Sequence, residues 1–246
     1  MTITTLAPVC IAPQQLAASV QTQGYGVLNA DGVAELLATP VSDLKALQAD
    51  WDDLPLDNFL KDGGHYRRRR HSCFIAEQDL RQIPHRAHYQ PLAYNALHGG
   101  MLRMFEPMRA ASVAQPVWKQ LLLSLARVCS SVKGEQPWFI EAHQFRIDTS
   151  NGIGRPTPEG AHRDGVDFVA ILLVARENVS GGESRIFEAD GPHGQRFTLS
   201  EQWTLILLDD QRVIHESTPI QPTAEGGHRD TLVLTFRSGG FLEQTS

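Results

Sequence analysis

Apolar residues follow two different spacings along this chain, and each spacing predicts a different kind of element. From Pro116 onward, apolar side chains recur three, four and seven positions apart, as on one face of an α-helix. They are Trp118, Leu121, Leu122, Leu125, Val128 and Cys129. Pro116 fits the first turn of this helix, where a missing N–H is tolerated. We therefore predict an amphipathic helix over this segment.

After Gly134 the pattern changes to short apolar or alternating runs, which are typical of β-strands. Such runs occur at 137–147, 166–175, 185–188, 195–199, 203–208, 212–215 and 230–237. Small and polar residues separate some of them, at 180–182, 190–192 and 225–227. Several short strands at this spacing indicate an all-β barrel or jelly roll. The predicted fold is therefore mainly β, with the preceding helices packed on its outside.

The first half of the chain predicts shorter and more mixed elements. These are strands at 23–28 and 66–75, a helix from Asp31 to Leu37, a helix from Ser42 or Asp43 to Asp50, and a loop over 51–64. No internal repeat or linker divides the chain. We expect a single domain over 1–246, with a mixed helical part over about 1–134 and a barrel core over about 135–240.

Composition and charge narrow the class of protein. Hydrophobic residues make up 41% and charged residues 20% of the chain, which argues against a disordered or fibrous protein. The formal net charge of −6 argues against nucleic-acid binding. No run of about 18 apolar residues is present to span a membrane. The cysteines (Cys10, Cys73 and Cys129) lie far apart and the N-terminal segment lacks a basic leader region, so we expect reduced thiols and a cytoplasmic protein.

The stretch 157–165 carries the first candidate chemistry, a histidine and an aspartate two positions apart. In extended backbone, residues i and i+2 point the same way, so His162 and Asp164 share a face. A later histidine would complete the set, either His215 at the end of a predicted strand or its rival His228. Two imidazoles and one carboxylate on one side of a divalent metal leave open positions opposite, as in non-haem Fe(II) oxygenases.

A second pair, Arg229 and Thr231, stands at the start of the last predicted strand. Their side chains share one face, and an arginine beside a hydroxyl inside a barrel can hold a carboxylate through a bidentate fork and a further donor. Because successive strand residues face opposite ways, His228 points away if Arg229 points inward. This alternation favours His215 as the third metal ligand.

Other polar residues are candidates for the substrate end of a pocket. In the strand 137–147, His143 shares a face with aromatic and aliphatic residues, which suggests that it packs in a core. Gln144 and Arg146 share the opposite face. We therefore favour Gln144 and Arg146 as pocket residues.

Two further candidates have open interpretations. Asp167 either binds a substrate ammonium group or faces solvent. The arginine run 67–70 either forms a solvated edge strand or brings one alternate side chain, for which Arg69 is our candidate, into the pocket to pair with a substrate carboxylate. The run lacks the interleaved aromatic residues of a nucleic-acid surface.

The histidine–aspartate pair, the distal histidine and the arginine–threonine pair together resemble the pattern of the 2-oxoglutarate/Fe(II) dioxygenases. The phrases at 141–146, 158–167 and 181–184 are further similar to bacterial dioxygenases of free amino acids, of the L-isoleucine hydroxylase type. The resemblance covers about 23–237, and its specific motifs begin at Glu141.

This resemblance implies a double-stranded β-helix (jelly-roll, cupin-like) fold. It implies that Fe(II) is held by His162, Asp164 and His215, and that 2-oxoglutarate chelates the iron with its far carboxylate on Arg229 and Thr231. With O2, 2-oxoglutarate is then converted to succinate while a free L-amino acid is hydroxylated or sulfoxidised. Halogenating relatives carry a small residue in place of the metal-binding carboxylate, so its presence here implies hydroxylation.

Two other functions stay open at this point. The same three ligands suit Zn²⁺, so the first alternative is a non-oxygenase metal-binding barrel with a ligand-binding or regulatory role. The arginine–threonine pair speaks against it, since such a module needs no carboxylate clamp. The second alternative is a regulatory protein that binds nucleic acid through its arginine run, against which the net charge speaks. We expect a small-molecule substrate and neither a nucleic acid nor a membrane as partner, and the oligomeric state is left open.

Overall fold

The computed structural model describes residues 6–244, and twelve strands and five α-helices are formed in this range. The strands are β1 (Tyr25–Leu28), β2 (Arg67–Ala76), β3 (Leu80–Gln82), β4 (Trp138–Asp148), β5 (Phe168–Glu177), β6 (Val179–Gly181), β7 (Glu183–Glu188), β8 (Gly194–Thr198), β9 (Leu205–Asp209), β10 (Val213–Ser217), β11 (Ile220–Pro222) and β12 (His228–Arg237). The helices are α1 (Leu16–Gln23), α2 (Ala30–Leu37), α3 (Val41–Lys45), α4 (Ala110–Val113) and α5 (Pro116–Lys133), with 3-10 turns at Pro13–Gln15 and Gln48–Asp53. Residues 1–5, which belong to the N-terminal segment without a basic leader region, and residues 245–246 of the expected domain lie outside the described residues.

Three antiparallel sheets make up the β part. Seven strands form the major sheet, in the order β1-β9-β5-β12-β4-β2-β3, and the smaller sheets have the orders β10-β7-β8 and β11-β6. Ile186, Phe197 and Val213 of the three-stranded sheet belong to one apolar cluster with Ile206 and Leu208 of the major sheet. The two sheets therefore face each other. This arrangement confirms the predicted double-stranded β-helix, mainly β with flanking helices.

The long central strands β4 and β12 determine which side chains line the space between the sheets. Residues paired across an antiparallel ladder share a face. Thr231 of β12 lies opposite Phe145 of β4, which lies opposite Arg69 of β2. Two positions earlier in their strands, Arg229 and Arg67 flank β4 in the same way. A band of polar side chains therefore crosses three strands on the inner face of the major sheet.

Helices cover the other face of the major sheet. The predicted amphipathic helix forms as α5, and its Trp118, Leu121 and Leu125 are fully buried in one cluster with Phe74 and Trp138 of the sheet. The Phe74 and Trp118 ring centroids are 5.6 Å apart. Truncation of a buried aromatic side chain of this kind costs about 3–5 kcal/mol. The outer face of the sheet is therefore a packed core and the inner face is left for a site.

Most predicted elements form, with shifted ends. Helix α2 is capped by Asn29, which accepts from the backbone N–H of Gly32, and not by the predicted Asp31. The helix expected to reach Asp50 stops at Lys45 and gives way to a 3-10 turn. Strands β1, β2 and β3 precede residue 134 and still join the major sheet, so the sheet extends beyond the expected 135–240. Among the helices in the described range, none is long and apolar enough to cross a membrane.

Candidate active site

The three residues predicted to bind a metal lie together between the sheets. Nε2 of His162 is 3.7 Å from Oδ1 of Asp164, and Nε2 of His215 is 3.6 Å from Oδ2 of the same carboxylate. The three ligand atoms all lie within 4.8 Å of one another. A backbone bridge joins the two histidines, since each N–H donates to the carbonyl of the other at 3.0 Å. The loop before β5 and strand β10 are thereby held in register.

A buried carboxylate holds the backbone around Asp164 in place. Asp210, which follows β9, accepts from the backbone N–H groups of Asp164, Gly165 and Val166 at 2.8–3.1 Å. Gly165 has a φ of 78°, which L residues rarely adopt, so glycine permits this turn. Burial and the neighbouring Asp164 raise the pKa of Asp210 to about 7. The turn that presents the ligands is therefore fixed from behind.

The two imidazoles present their Nε2 atoms to Asp164. Nδ1 of His162 donates to the carbonyl of Gly160 at 2.9 Å, so Nε2 is the nitrogen that can bind a metal once its proton is displaced. Burial favours a lower pKa for His162, but Asp164 and Glu159 outweigh it and raise the pKa to about 10. Burial and His162 lower the pKa of His215 to about 4, so this imidazole is neutral. Burial favours a higher pKa for Asp164, but the histidines beside it hold the pKa well below its usual value.

This donor set fits a divalent metal ion. Imidazole nitrogens and a carboxylate oxygen suit iron and zinc, and three protein ligands leave further positions open. Oδ1 of Asp164 also accepts from the side-chain amide of Gln90 at 3.2 Å. Partners of this kind orient a ligand and commonly change metal affinity about 10–100-fold. His162, Asp164 and His215 are therefore the residues that can hold a metal here.

A cavity of about 150 Å³ lies beside these ligands, and Arg229 and Thr231 line it from β12. The Arg229 side chain is buried, makes no ion pair within the described residues, and its Nε has no hydrogen-bond partner among them. Burial and the nearby Arg176 lower the pKa of Arg229 to about 10, so it stays charged at neutral pH. A buried guanidinium without an anion, next to a hydroxyl, is suited to a carboxylate ligand.

Four further arginines line the cavity: two from β2, one from the segment between β3 and α4, and one from β7 that pairs with Glu216, namely Arg67, Arg69, Arg103 and Arg185. Oδ2 of Asp57 lies 2.7 Å from Nε of Arg67 and 3.8 Å from Nη1 of Arg69. The Arg69 guanidinium also lies 3.7 and 4.4 Å from the ring centroids of two phenylalanines. Arg103 makes no ion pair in the described part of the chain, and its Nε and Nη2 are buried without hydrogen-bond partners there. Arg103 therefore has the least compensated charge of the four.

A second histidine cluster forms part of the cavity wall around Glu141. Nδ1 of His88 donates to Oε2 of Glu141 at 2.6 Å, and Nε2 of His71 is 3.7 Å from Oε1. Arg69 donates to Nδ1 of His143 at 2.6 Å, so the proton of that imidazole is on Nε2 and this nitrogen is not free for a metal. Burial lowers the pKa of all three histidines, that of His88 to about 4. The cluster is a network of neutral imidazoles around one carboxylate.

Two residues predicted to line the pocket lie on the opposite face of β4. Gln144 donates to Asp50 of the second 3-10 turn at 3.1 Å, and Arg146 pairs with Asp230 at 2.7 Å. His143, which we expected to pack in a core, lines the cavity instead. The prediction was wrong because both faces of this central strand are covered, so the polarity of a residue does not tell which face borders the cavity.

Of the remaining candidates, the arginine run reaches the cavity, whereas Asp167 and His228 do not. Asp167 is 5% exposed and lies outside the cavity lining; its carboxylate accepts from Lys133 and from the backbone N–H of Ser238 at 2.6 Å. Neither expected position, in the pocket or at the solvent, is the one it occupies. His228 lies on the outer face of β12, with Nδ1 bonded to a backbone carbonyl at 2.8 Å, and does not approach the triad. In the arginine run 67–70, alternation brings two side chains to the cavity, including Arg69.

Several cavity residues escaped the sequence analysis. Gln90, Asn95 and Arg103 stand in a segment without regular structure, where no periodicity shows which side chains point inward. Asp57, which does not line the cavity but pairs with its Arg67 and Arg69, stands in a predicted loop. Glu159 lies within a phrase that carries the family resemblance, but nothing in its spacing indicated that it faces the cavity.

Known structures with the same fold include metal-dependent oxygenases. A bsmA homologue from Methylobium petroleophilum PM1 is 47% identical, with a TM-score of 0.92 over 99% of this chain and 100% of that one. IDO from Bacillus thuringiensis is 18% identical, with a TM-score of 0.76 over 93% of this chain and 100% of that one. The Fe(II)/α-ketoglutarate-dependent dioxygenase TqaL is 18% identical, with a TM-score of 0.70 over 92% of this chain and 87% of that one. At 18% identity, the likeness to these two shows the fold alone.

Sequence comparison identifies the family. No curated protein sequence matches this chain. Residues 48–235, most of the chain, match the family model described as 2OG-Fe dioxygenase. That family uses Fe(II), 2-oxoglutarate and O2, and the chain contains a histidine–histidine–carboxylate site for the metal. The chain therefore belongs to the 2OG-Fe dioxygenase family and is a 2-oxoglutarate-dependent non-haem iron dioxygenase.

Proposed function

We propose that this dioxygenase oxidises a free L-amino acid, by hydroxylation of a carbon or by sulfoxidation of a thioether. In this reaction 2-oxoglutarate is converted to succinate and CO2; one atom of O2 enters the substrate and the other enters succinate. The observation that carries the proposal is that one cavity holds the triad together with two arginines that lack an anion, Arg229 from β12 and Arg103 from another segment. One of them suits the cosubstrate carboxylate and the other suits a substrate carboxylate.

His162, Asp164 and His215 are the proposed ligands of Fe(II). Bound iron supplies the oxidising chemistry of the family, and the chain supplies binding, orientation and shielding from water. Gln90 fixes one oxygen of Asp164, and Asp210 fixes the backbone on which this ligand stands. The carboxylate at this position favours hydroxylation over halogenation, as the family resemblance implies.

Arg229 and Thr231 are the proposed anchor for the distal carboxylate of 2-oxoglutarate. A guanidinium binds a carboxylate through two parallel hydrogen bonds, and burial strengthens the attraction because little water screens it. Apolar side chains, including Ile171, Ile206 and Leu208, line the same cavity and keep its wall dry. The anchor therefore orients the cosubstrate toward the triad.

An amino-acid substrate is favoured because the cavity wall carries both signs of charge. Arg67, Arg69 and Arg103 supply positive groups, while Glu141 and Glu159 supply carboxylates. A zwitterion brings one charge of each sign into such a site. A cavity of about 150 Å³ also suits a small molecule, since an engineered protein cavity of that size holds benzene.

We also propose a cytoplasmic location. Cys10, Cys73 and Cys129 are all free thiols. Burial raises the pKa of Cys73 and Cys129, which keeps both thiols protonated and unreactive. Proteins of oxidising compartments more often pair their cysteines.

The experiment that tests the proposed function is succinate formation by protein supplied with Fe(II), 2-oxoglutarate, O2 and each L-amino acid in turn. We expect one amino acid, or a small related group, to stimulate succinate formation, and we expect Asp164→Ala to abolish the stimulation. Slow turnover of 2-oxoglutarate that no amino acid increases would contradict the substrate class and leave the family chemistry intact.

A further inference from the structure

Glu159 has the one cavity-lining carboxylate oxygen that is buried without a hydrogen-bond partner in the described part of the chain, its Oε2. Its other oxygen, Oε1, accepts only a long hydrogen bond from Asn95, at 3.4 Å. Other carboxylates of the cavity wall are engaged: Glu141 by the histidine cluster, and Glu216 by Arg185 at 3.1 Å. Glu159 is therefore a charged group turned toward the cavity with capacity to accept hydrogen bonds.

A role in orienting His162 does not account for Glu159. Its Oε1 lies 3.7 Å from Nε2 of His162, which is the nitrogen that faces the metal position. The orientation of that imidazole is already set by the hydrogen bond from Nδ1 to Gly160. A metal on Nε2 leaves no proton there for Glu159 to accept. A carboxylate oxygen shielded from water is costly unless a cation or donor compensates it, so Oε2 of Glu159 is suited to a cationic group that enters the cavity.

Arg103 is the complementary group. It is 2% exposed, and two of its guanidinium nitrogens are buried without partners within the described range. Its backbone forms an antiparallel bridge with His88, with N–H to carbonyl distances of 2.9 Å in both directions, which fixes its place on the wall. Burial and Arg67 lower the pKa of Arg103 to about 10, while Asp57 and Glu159 oppose the shift, so the guanidinium stays charged at neutral pH.

We propose that Glu159 and Arg103 form a zwitterion clamp, in which Oε2 of Glu159 accepts hydrogen bonds from the substrate α-ammonium group and Arg103 binds the α-carboxylate. The clamp rests on the proposed function and adds the residues that select a free amino acid. It requires an unblocked amino group, so N-acylated amino acids are excluded. Because Glu159 lies beside His162, the clamp holds the amino end of the substrate next to the metal ligands.

Two conservative variants test the two halves of the clamp. Glu159→Gln keeps the length of the side chain and the acceptor for Asn95, but replaces the unpartnered oxygen with an N–H donor. Arg103→Gln removes the guanidinium. The probes are the amino acid that gives most succinate with the wild type, the same acid without its amino group, and the same amino acid as its carboxamide. The readouts are KM from succinate formation and Kd from calorimetry with Mn(II), 2-oxoglutarate and no oxygen.

Each variant is expected to lose affinity only for the probes that carry the functional group its residue binds. Glu159→Gln should raise KM and Kd for the amino acid about 10- to 100-fold, and should leave those for the desamino acid unchanged. Arg103→Gln should raise KM and Kd for the amino acid by a similar factor and should leave those for the carboxamide unchanged. Glu177→Gln, which alters an exposed carboxylate at the end of β5 outside the cavity lining, is the matched control and should behave as the wild type.

Three results would overturn the clamp. One is an equal loss of affinity for all three probes in Glu159→Gln, which indicates a structural role. Another is a loss of Mn(II) affinity in this variant greater than the loss for the amino acid, which makes Glu159 part of the metal site. The third is a Glu159→Gln variant with wild-type affinity for the amino acid.

If Glu159→Gln does not fold, Glu159→Asp keeps the charge and should show a smaller loss of affinity with the same dependence on the amino group. If the wild type responds to no amino acid at all, the proposed function itself fails, and the clamp with it.

Discussion

The amide of Gln90 donates to Oδ1 of Asp164 at 3.2 Å, which ties a candidate metal ligand to the irregular segment between β3 and α4. The carbonyl of the same side chain accepts from Asn95 at 3.0 Å, and Asn95 also donates to Glu159. The candidate metal ligand Asp164 and the proposed substrate residue Glu159 therefore share one hydrogen-bond chain. A change in one link is expected to affect both.

Gln90→Ala is expected to loosen this link. We expect metal affinity to fall about 10- to 100-fold, as is common when a partner of a ligand is removed. We also expect more 2-oxoglutarate to be consumed per product formed, because the substrate side is no longer aligned with the triad. Metal titration and the ratio of succinate to oxidised product measure the two effects. Gln14→Ala, at an exposed position, is the control. Unchanged metal affinity and coupling in Gln90→Ala would contradict the link.

Arg229→Ala is expected to weaken the binding of the cosubstrate and not that of the substrate. Removal of a buried guanidinium from a carboxylate commonly costs about 2–5 kcal/mol, so KM for 2-oxoglutarate should rise at least 30-fold. The KM for the amino acid should change little. Arg229→Lys keeps the charge without the bidentate fork and should fall in between. A KM for 2-oxoglutarate equal to that of the wild type would remove Arg229 from its proposed role.

Gln144→Leu is expected to lower stability without changing substrate binding. It leaves the buried Asp50 carboxylate without its amide donor, which costs about 1–3 kcal/mol of unfolding free energy. The KM values should stay at wild-type levels, because Gln144 lies on the helix-covered face of β4. Urea unfolding and steady-state kinetics check the two statements. A raised KM with unchanged stability would mean that β4 presents its other face to the cavity.

The histidine cluster is expected to make stability depend on pH. His88 has a folded-state pKa of about 4, lowered by burial and by Arg103 and His71 against the pull of Glu141, from an ordinary value of 6.5. Between these values the unfolded chain binds more protons than the folded chain, so the free energy of unfolding falls as the pH falls from 6.5. The slope is up to about 1.4 kcal/mol per pH unit for each histidine that stays neutral.

His88→Gln should reduce that slope by the contribution of one proton. Urea unfolding between pH 7 and about 5 provides the measurement, because this range stays above the titration of most carboxylates. The same slope in variant and wild type would show that His88 is protonated in the folded chain. That result would contradict the neutral network around Glu141.

The candidate metal and cosubstrate residues could be proposed from the sequence because their side chains follow simple local rules. His162 and Asp164 are two positions apart in extended backbone, and Arg229 and Thr231 are two positions apart in a strand, so each pair shares a face whatever the rest of the fold does. The order of the strands was not needed for this step. The location of the helix α5 followed in the same way from its apolar stripe.

The substrate end could not be predicted, because it depends on sheet order and on irregular backbone. Whether His143 or Gln144 borders the cavity follows from the pairing of β4 with β12 and β2, and that pairing is not visible in one strand. Arg103 and Glu159 stand in segments where no period relates neighbouring side chains. Asp167 was misassigned since its partners, Lys133 and Ser238, are distant in sequence.

The central claim is that the triad couples 2-oxoglutarate conversion to oxygen insertion into a free amino acid. Mass spectrometry of the product formed under ¹⁸O2 tests it most directly. We expect the stimulating amino acid to gain one oxygen atom derived from O2, with one succinate formed per product, and we expect Asp164→Ala to form neither. An amino acid recovered unchanged while the wild type forms succinate would contradict the claim.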